Sequence, residues 1–182
     1  HVFCRRSEAA ECMGAIHGAM ERADLCVLNG DIFDFRWTVF AGVEETVPHA
    51  LAWLEAFMAH YPGRRFHYVL GNHDAAGPFV EGLVAMARQT PELACHTFGV
   101  RLGSAVFLHG DVAHYAMPKE HFEGYFRTRW RHDRKKGSAP NWVHDRGYEY
   151  GLHRWVHRTA FPPRVVAKRV LKYLREKGVG PE

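Results

Sequence analysis

The apolar positions of this chain fall into short blocks of two kinds. Between Glu8 and Ala23 the apolar residues recur at helical spacing and predict an amphipathic helix. Leu25-Cys26-Val27-Leu28 is an unbroken apolar run, the pattern of a buried strand, and it stops at Asn29-Gly30-Asp31. Val47 to Tyr61 returns to helical spacing and closes at Pro62-Gly63. Phe66-His67-Tyr68-Val69-Leu70 predicts a second strand, ending at Gly71-Asn72-His73-Asp74, and Phe79 to Gln89 predicts a third helix. Cys95 to Arg101 and Ala105 to Leu108 read as paired strands turned at Gly103-Ser104, the second running into His109-Gly110-Asp111. Strands and helices alternate, so a parallel α/β architecture is expected. Beyond Pro118 the pattern changes: Lys119 to Lys136 and Tyr150 to Lys177 are helix-like and basic, interleaved with Trp130, Trp142 and Trp155, and Pro162-Pro163 breaks the second stretch.

Composition narrows the class. A chain of 182 residues that is 47% hydrophobic and 24% charged carries enough apolar surface for a real core and has no signature of disorder. It contains no run of about 18 apolar residues, which excludes a membrane-spanning helix within it. Cys4, Cys12, Cys26 and Cys95 form no CxxC pair and read as reduced thiols, which points to the cytoplasm. The net charge of +4 is unevenly spread: residues 1–114 hold eight Lys/Arg against thirteen Asp/Glu, and residues 115–182 hold sixteen against seven. An acidic, histidine-bearing front suits cations and a basic rear suits anionic ligands or surfaces.

The candidate chemistry lies where the strands end. Gly30-Asp31-Ile32-Phe33-Asp34, Gly71-Asn72-His73-Asp74 and His109-Gly110-Asp111 each follow an apolar run. In open α/β sheets ligands bind beyond the carboxyl ends of the strands, so these clusters are expected on one rim. Asp, Asn and His supply the oxygen and nitrogen donors that borderline divalent metals take. Any one cluster alone is an ordinary turn, and His109 alone is an ordinary buried histidine; the ordered set is what points to a site. Asp34 reads as a capping carboxylate, and Asp111 as structural. His153 and His157 share a helical face but have no third donor nearby and are flanked by Arg154 and Arg158, so they read as surface or phosphate-facing residues.

The order GDxxD, GNHD, then a strand ending in histidine resembles the calcineurin-like metallophosphoesterases, over residues 1–114. That family's pattern also has a DxH and a GHxH. His1 stands about where the DxH histidine belongs, so its aspartate is expected two positions upstream and a GHxH soon after Glu182. The resemblance implies an α/β fold, a central β-sandwich flanked by helices (αββα), with residues 1–114 as core and residues 115–182 as a basic helical insertion or lid. It implies two divalent metal ions, manganese first and iron or zinc as alternatives, about 3.5–4 Å apart and activating a water. Asp31 would bridge the ions, Asn72 and His109 would bind the second, and His1 is a candidate ligand of the first. His73 would protonate the leaving oxygen of a phosphate ester or anhydride, and Asp74 would orient its ring.

The basic segment has three readings: a solvated face, a lid whose Arg129, Arg131 and Arg134 bind substrate, or a membrane-facing surface. Nucleic acid is disfavoured, because no nucleic-acid-binding motif is present. Within the family the chain is similar to the branch of UDP-2,3-diacylglucosamine diphosphatases of lipid A synthesis, which implies a nucleotide-lipid substrate and peripheral contact with the inner face of the membrane. His73 stands where that branch typically has arginine, which favours a phosphorylated small molecule in general. A catalytically inactive scaffold of the same fold is the alternative outside enzymes.

Overall fold

The structure, a computed structural model, describes residues 1–5, 7–113, 146, 150, 159 and 161–178. The described residues fall into two compact units, residues 1–109 in the first and Gly110–Ala113 with residues 161–178 in the second. The predicted helix over Lys119 to Lys136, and with it Arg129, Arg131 and Arg134, lies outside the described residues.

In the first unit, α1 (Ala9–Met20) leads to β1 (Leu25–Asn29), α2 (Val43–Ala59), β2 (Arg65–Val69), α3 (Gly77–Gln89) and β3 (Leu93–His96). The three strands form a parallel sheet in the order β1-β2-β3, with Leu25 opposite Arg65 and Val69 opposite His96. Helical crossovers are what parallel neighbours require, since a tight turn cannot return the chain to the same edge. Side chains alternate across the sheet, so Phe66 and Tyr68 enter the core with Phe33, Leu54, Phe79 and Leu83, all at most 1% exposed. Phe79 lies edge-on to Phe33, the ring centres 5.4 Å apart. Burying a side chain of this size contributes about 1.5–3 kcal/mol.

Two elements depart from the sequence pattern. Helix α2 begins at Val43, upstream of the expected Val47, with Pro48 inside it. The Thr46 hydroxyl donates to Gly42 O at 2.6 Å, Glu45 Oε2 accepts from Ala41 N–H at 2.9 Å, and these bonds hold a first turn that apolar periodicity does not register. The stretch from Cys95 to Arg101 is two strands rather than one. β3 ends at His96 and pairs with β2, whereas β4 (Gly99–Leu102) pairs antiparallel with β5 (Ala105–Leu108). The β4–β5 turn is where expected, at Gly103-Ser104, and Gly103 takes the positive φ of 61° that a two-residue hairpin demands.

The segment before α1 runs alongside the loop that follows β1. Val2 N–H donates to Ile32 O at 2.6 Å and Val39 N–H to Phe3 O at 2.8 Å, which brings His1 beside that loop. In the second unit a 3₁₀ turn (Gly110–Ala113) precedes α4 (Pro163–Glu176). Arg169 of α4 donates to Ala113 O at 3.1 Å, and Asp111 is buried in that turn. Helix α4 starts at the proline pair, as expected of a residue that lacks an amide proton but fits the first helical position. Among the described residues no helix is long and apolar enough to cross a membrane.

Candidate active site

The site is built where β1, β2 and β5 end. After β1 the backbone turns sharply, with Gly30 at φ 79° and Asp31 at φ 54°. A left-handed aspartate is uncommon and persists only where its surroundings fix it. Two glycines permit that placement by being small. A Cβ on Gly30 would stand 2.5 Å from His109 Cδ2, and one on Gly71 would overlap the Asp31 carboxylate and amide. Either side chain would push a candidate ligand away.

Asp31 is thereby held between two neighbours. Its Oδ1 accepts the His73 backbone N–H at 2.8 Å, and its Oδ2 lies 3.1 Å from His109 Nε2. Burial opposes ionisation of Asp31, yet the bonds and charges of His109 and His73 outweigh it and leave its pKa below the ordinary value. Asn29 Nδ2 donates to Leu108 O at 3.2 Å, tying the end of β1 to the residue before His109. Asn72 is half-buried in the same turn, between Gly71 against Asp31 and His73 bonded to it.

The carboxylate at the His73 ring is Asp34. Its Oδ2 stands 3.0 Å from His73 Nδ1 and 3.9 Å from His1 Nδ1. Asp34 Oδ1 accepts the N–H groups of Arg36 and Trp37, both at 2.9 Å, so it caps the loop as the sequence suggests. The expected orienting role of Asp74 is not what the geometry gives. Asp74 is fully buried and points the other way: Oδ1 accepts Gly71 N–H at 2.8 Å, and Oδ2 accepts Tyr68 O–H at 2.7 Å and Ile32 N–H at 3.0 Å. Its carboxyl is pushed up to about 6 by burial, against the pull of the Tyr68 bond. The resemblance suggested Asp74 as the partner of the His73 ring, but neighbouring side chains in a turn leave in different directions. The GDxxD spacing held the signal for Asp34; Tyr68 gave none, since inside a strand it reads as core.

These side chains fit divalent cations. His1, Asp34 and His73 each offer a donor atom within 4.8 Å of the others, and Asp31 Oδ2 lies 3.1 Å from His109 Nε2; since Asp34 and His73 are bonded to each other, the candidate cation ligands are His1, Asp31, Asn72 and His109. All are oxygen and nitrogen donors, as borderline divalent metals prefer.

The calcineurin-like phosphoesterase family model matches residues 5–177, which reaches past the front part that carries the motifs. No curated protein and no solved structure matches the chain. The match covers nearly the whole chain and takes in the turns that hold Asp31, Asn72, His73 and His109. The chain therefore belongs to the calcineurin-like phosphoesterases, a family of hydrolases that cleave phosphoester bonds with divalent metals.

Proposed function

We propose that the chain hydrolyses a phosphate ester or anhydride of a phosphorylated small molecule with two divalent ions, manganese first, on an αββα sandwich that carries its basic segment as an insertion or lid. Asp31, Asn72, His109 and His1 would hold the ions. When bound, such ions lower the pKa of a water and offset charge on the phosphoryl oxygens. The observation that carries the reading is the Asp34–His73–Asp31 linkage: the ring of His73 faces one carboxylate and its backbone binds the other.

The chain's own groups then divide the work. Asp34 accepts the Nδ1 proton of His73 and stabilises the imidazolium form. The ring is thereby oriented with Nε2–H as the donor. As a water oxygen forms the new bond to phosphorus and the old phosphorus–oxygen bond breaks, this proton passes to the leaving oxygen. General acid catalysis of this kind contributes about 10²–10⁴-fold. The His73 side chain is 30% exposed, which leaves it accessible to a substrate.

The test is metal content after purification, followed by hydrolysis of bis-p-nitrophenyl phosphate with added manganese. Turnover that is lost in Asp31→Asn and His73→Ala supports the enzyme. A protein with neither metal nor turnover is the inactive scaffold.

A nucleotide-lipid substrate is the second reading, favoured by α4. Arg164, Lys168, Lys172 and Arg175 recur on its exposed side, with Leu171 53% and Val165 37% exposed among them. Basic residues around exposed apolar ones suit an anionic lipid surface. Release of UMP from UDP-2,3-diacylglucosamine supports this substrate, and its absence alongside activity on simple phosphodiesters rejects it.

A further inference from the structure

Tyr68 is wholly buried in β2, and its ring packs 5.8 Å from that of Phe79. Packing alone asks nothing of its hydroxyl: Phe66, two residues earlier on the same face, is 1% exposed without one. The Tyr68 O–H donates at 2.7 Å to Asp74 Oδ2. That carboxylate in turn accepts Ile32 N–H from the turn after β1 and Gly71 N–H from the turn after β2. Ile32 follows Asp31, and Gly71 precedes Asn72. In the opposite sense Asp31 accepts the N–H of His73, the neighbour of Asp74. The two turns are thus locked reciprocally, each carboxylate binding the backbone beside the other.

We propose that Tyr68 and Asp74 are positioning residues that set the affinity of the site for divalent cations by fixing the backbone of Asp31; this rests on the metal-dependent reading above. The strained φ of 54° at Asp31 is the conformation that needs such support. Three donors converge on the fully buried Asp74 carboxylate. Removing the tyrosine hydroxyl leaves one lone pair without its donor, in a place where the loss is not repaired by bulk water. The carboxylate then shifts, and the bond to Ile32 N–H that holds Asp31 loosens.

The experiment titrates manganese into the full chain by calorimetry, for wild type, Tyr68→Phe, Asp74→Asn and Tyr61→Phe. Tyr61 is the control, because its hydroxyl bonds His17. Circular dichroism of each metal-free protein establishes that it is folded. Tyr68→Phe and Asp74→Asn are expected to bind about 10–100-fold more weakly, as loss of groups supporting metal ligands does. Tyr61→Phe is expected to bind as wild type does, although it too loses a hydroxyl bond. Unchanged affinity in a folded Tyr68→Phe, or in a folded Asp74→Asn should the first not fold, overturns the clamp and leaves the metal-dependent reading standing. Wild type that takes up no divalent cation overturns that reading instead.

Discussion

At the scale of single residues, an absent side chain matters as much as the side chains present. Gly71 lies against Asp31 so closely that any Cβ would enter its carboxylate. Gly71→Ala is therefore expected to abolish manganese uptake in calorimetry while the helical circular dichroism persists, because the displaced group is a candidate ligand and not part of the core. Asp34 is the second decisive residue. Asparagine in its place keeps an oxygen for the Arg36 and Trp37 amides but turns an NH₂ donor toward His73 Nδ1, which then can only accept. The imidazolium loses its counter-charge. The expected result for Asp34→Asn is a fall in kcat of at least about 10²-fold with KM little changed.

At the scale of elements, β2 and β3 carry a histidine pair. His67 Nδ1 and His96 Nε2 are 2.9 Å apart, one donating and the other accepting. Burial lowers the pKa of both, with Arg65 adding to the effect at His67 and His67 adding to it at His96. The folded state thus favours the neutral rings, and below about pH 6.5 the unfolded chain binds more protons. Stability from this pair is complete above that pH and is lost as pH falls through the lowered folded values. Asp74 acts in the opposite sense: with its folded value raised from 3.8 to about 6, it makes the fold more stable as pH falls across that window. The readout is consequently a difference. Thermal melts of His96→Gln in chelator are expected to depend less on acid than those of wild type, and parallel pH profiles would refute the assignment.

The elements also show how far local pattern reaches. Apolar runs located β1 and β2 and the turn at Gly103-Ser104, because a strand core and a tight turn are chosen by their own residues. The break between β3 and β4 was not registered, since Cys95 to Arg101 carries no proline and no turn dipeptide to mark it. What divides it is partner choice: Val69 takes His96, and Phe107 takes Val100. The early start of α2 was hidden for a related reason, because side-chain bonds to Gly42 and Ala41, not apolar spacing, hold its first turn.

For the whole molecule, the family match across residues 5–177 and the rim of donors make metal binding and stability linked quantities. A cation that binds only the folded state stabilises it by about 2.7 kcal/mol at 100 times its Kd. For a chain of this length that raises Tm by roughly 5–10 °C. Manganese is expected to produce such a shift in wild type, growing with concentration, and none in Asp31→Asn. A shift retained in that variant would place the cation elsewhere.

The sequence by itself determined which residues could do chemistry, because a glycine and polar donors after an apolar run are a local pattern that folds locally. It also placed them at strand ends: the parallel sheet gathers the turns after β1 and β2 on one rim, while His109 comes from the end of the separate β4–β5 hairpin. Only the tertiary structure decided which donors meet. Asp74 is next to His73 in the chain yet turns inward to Tyr68, Ile32 and Gly71, while Asp34 arrives from the loop after β1 to face the ring. Hydrogen bonds follow distance in space and direction of the side chain, and neither exists until β1 and β2 lie side by side.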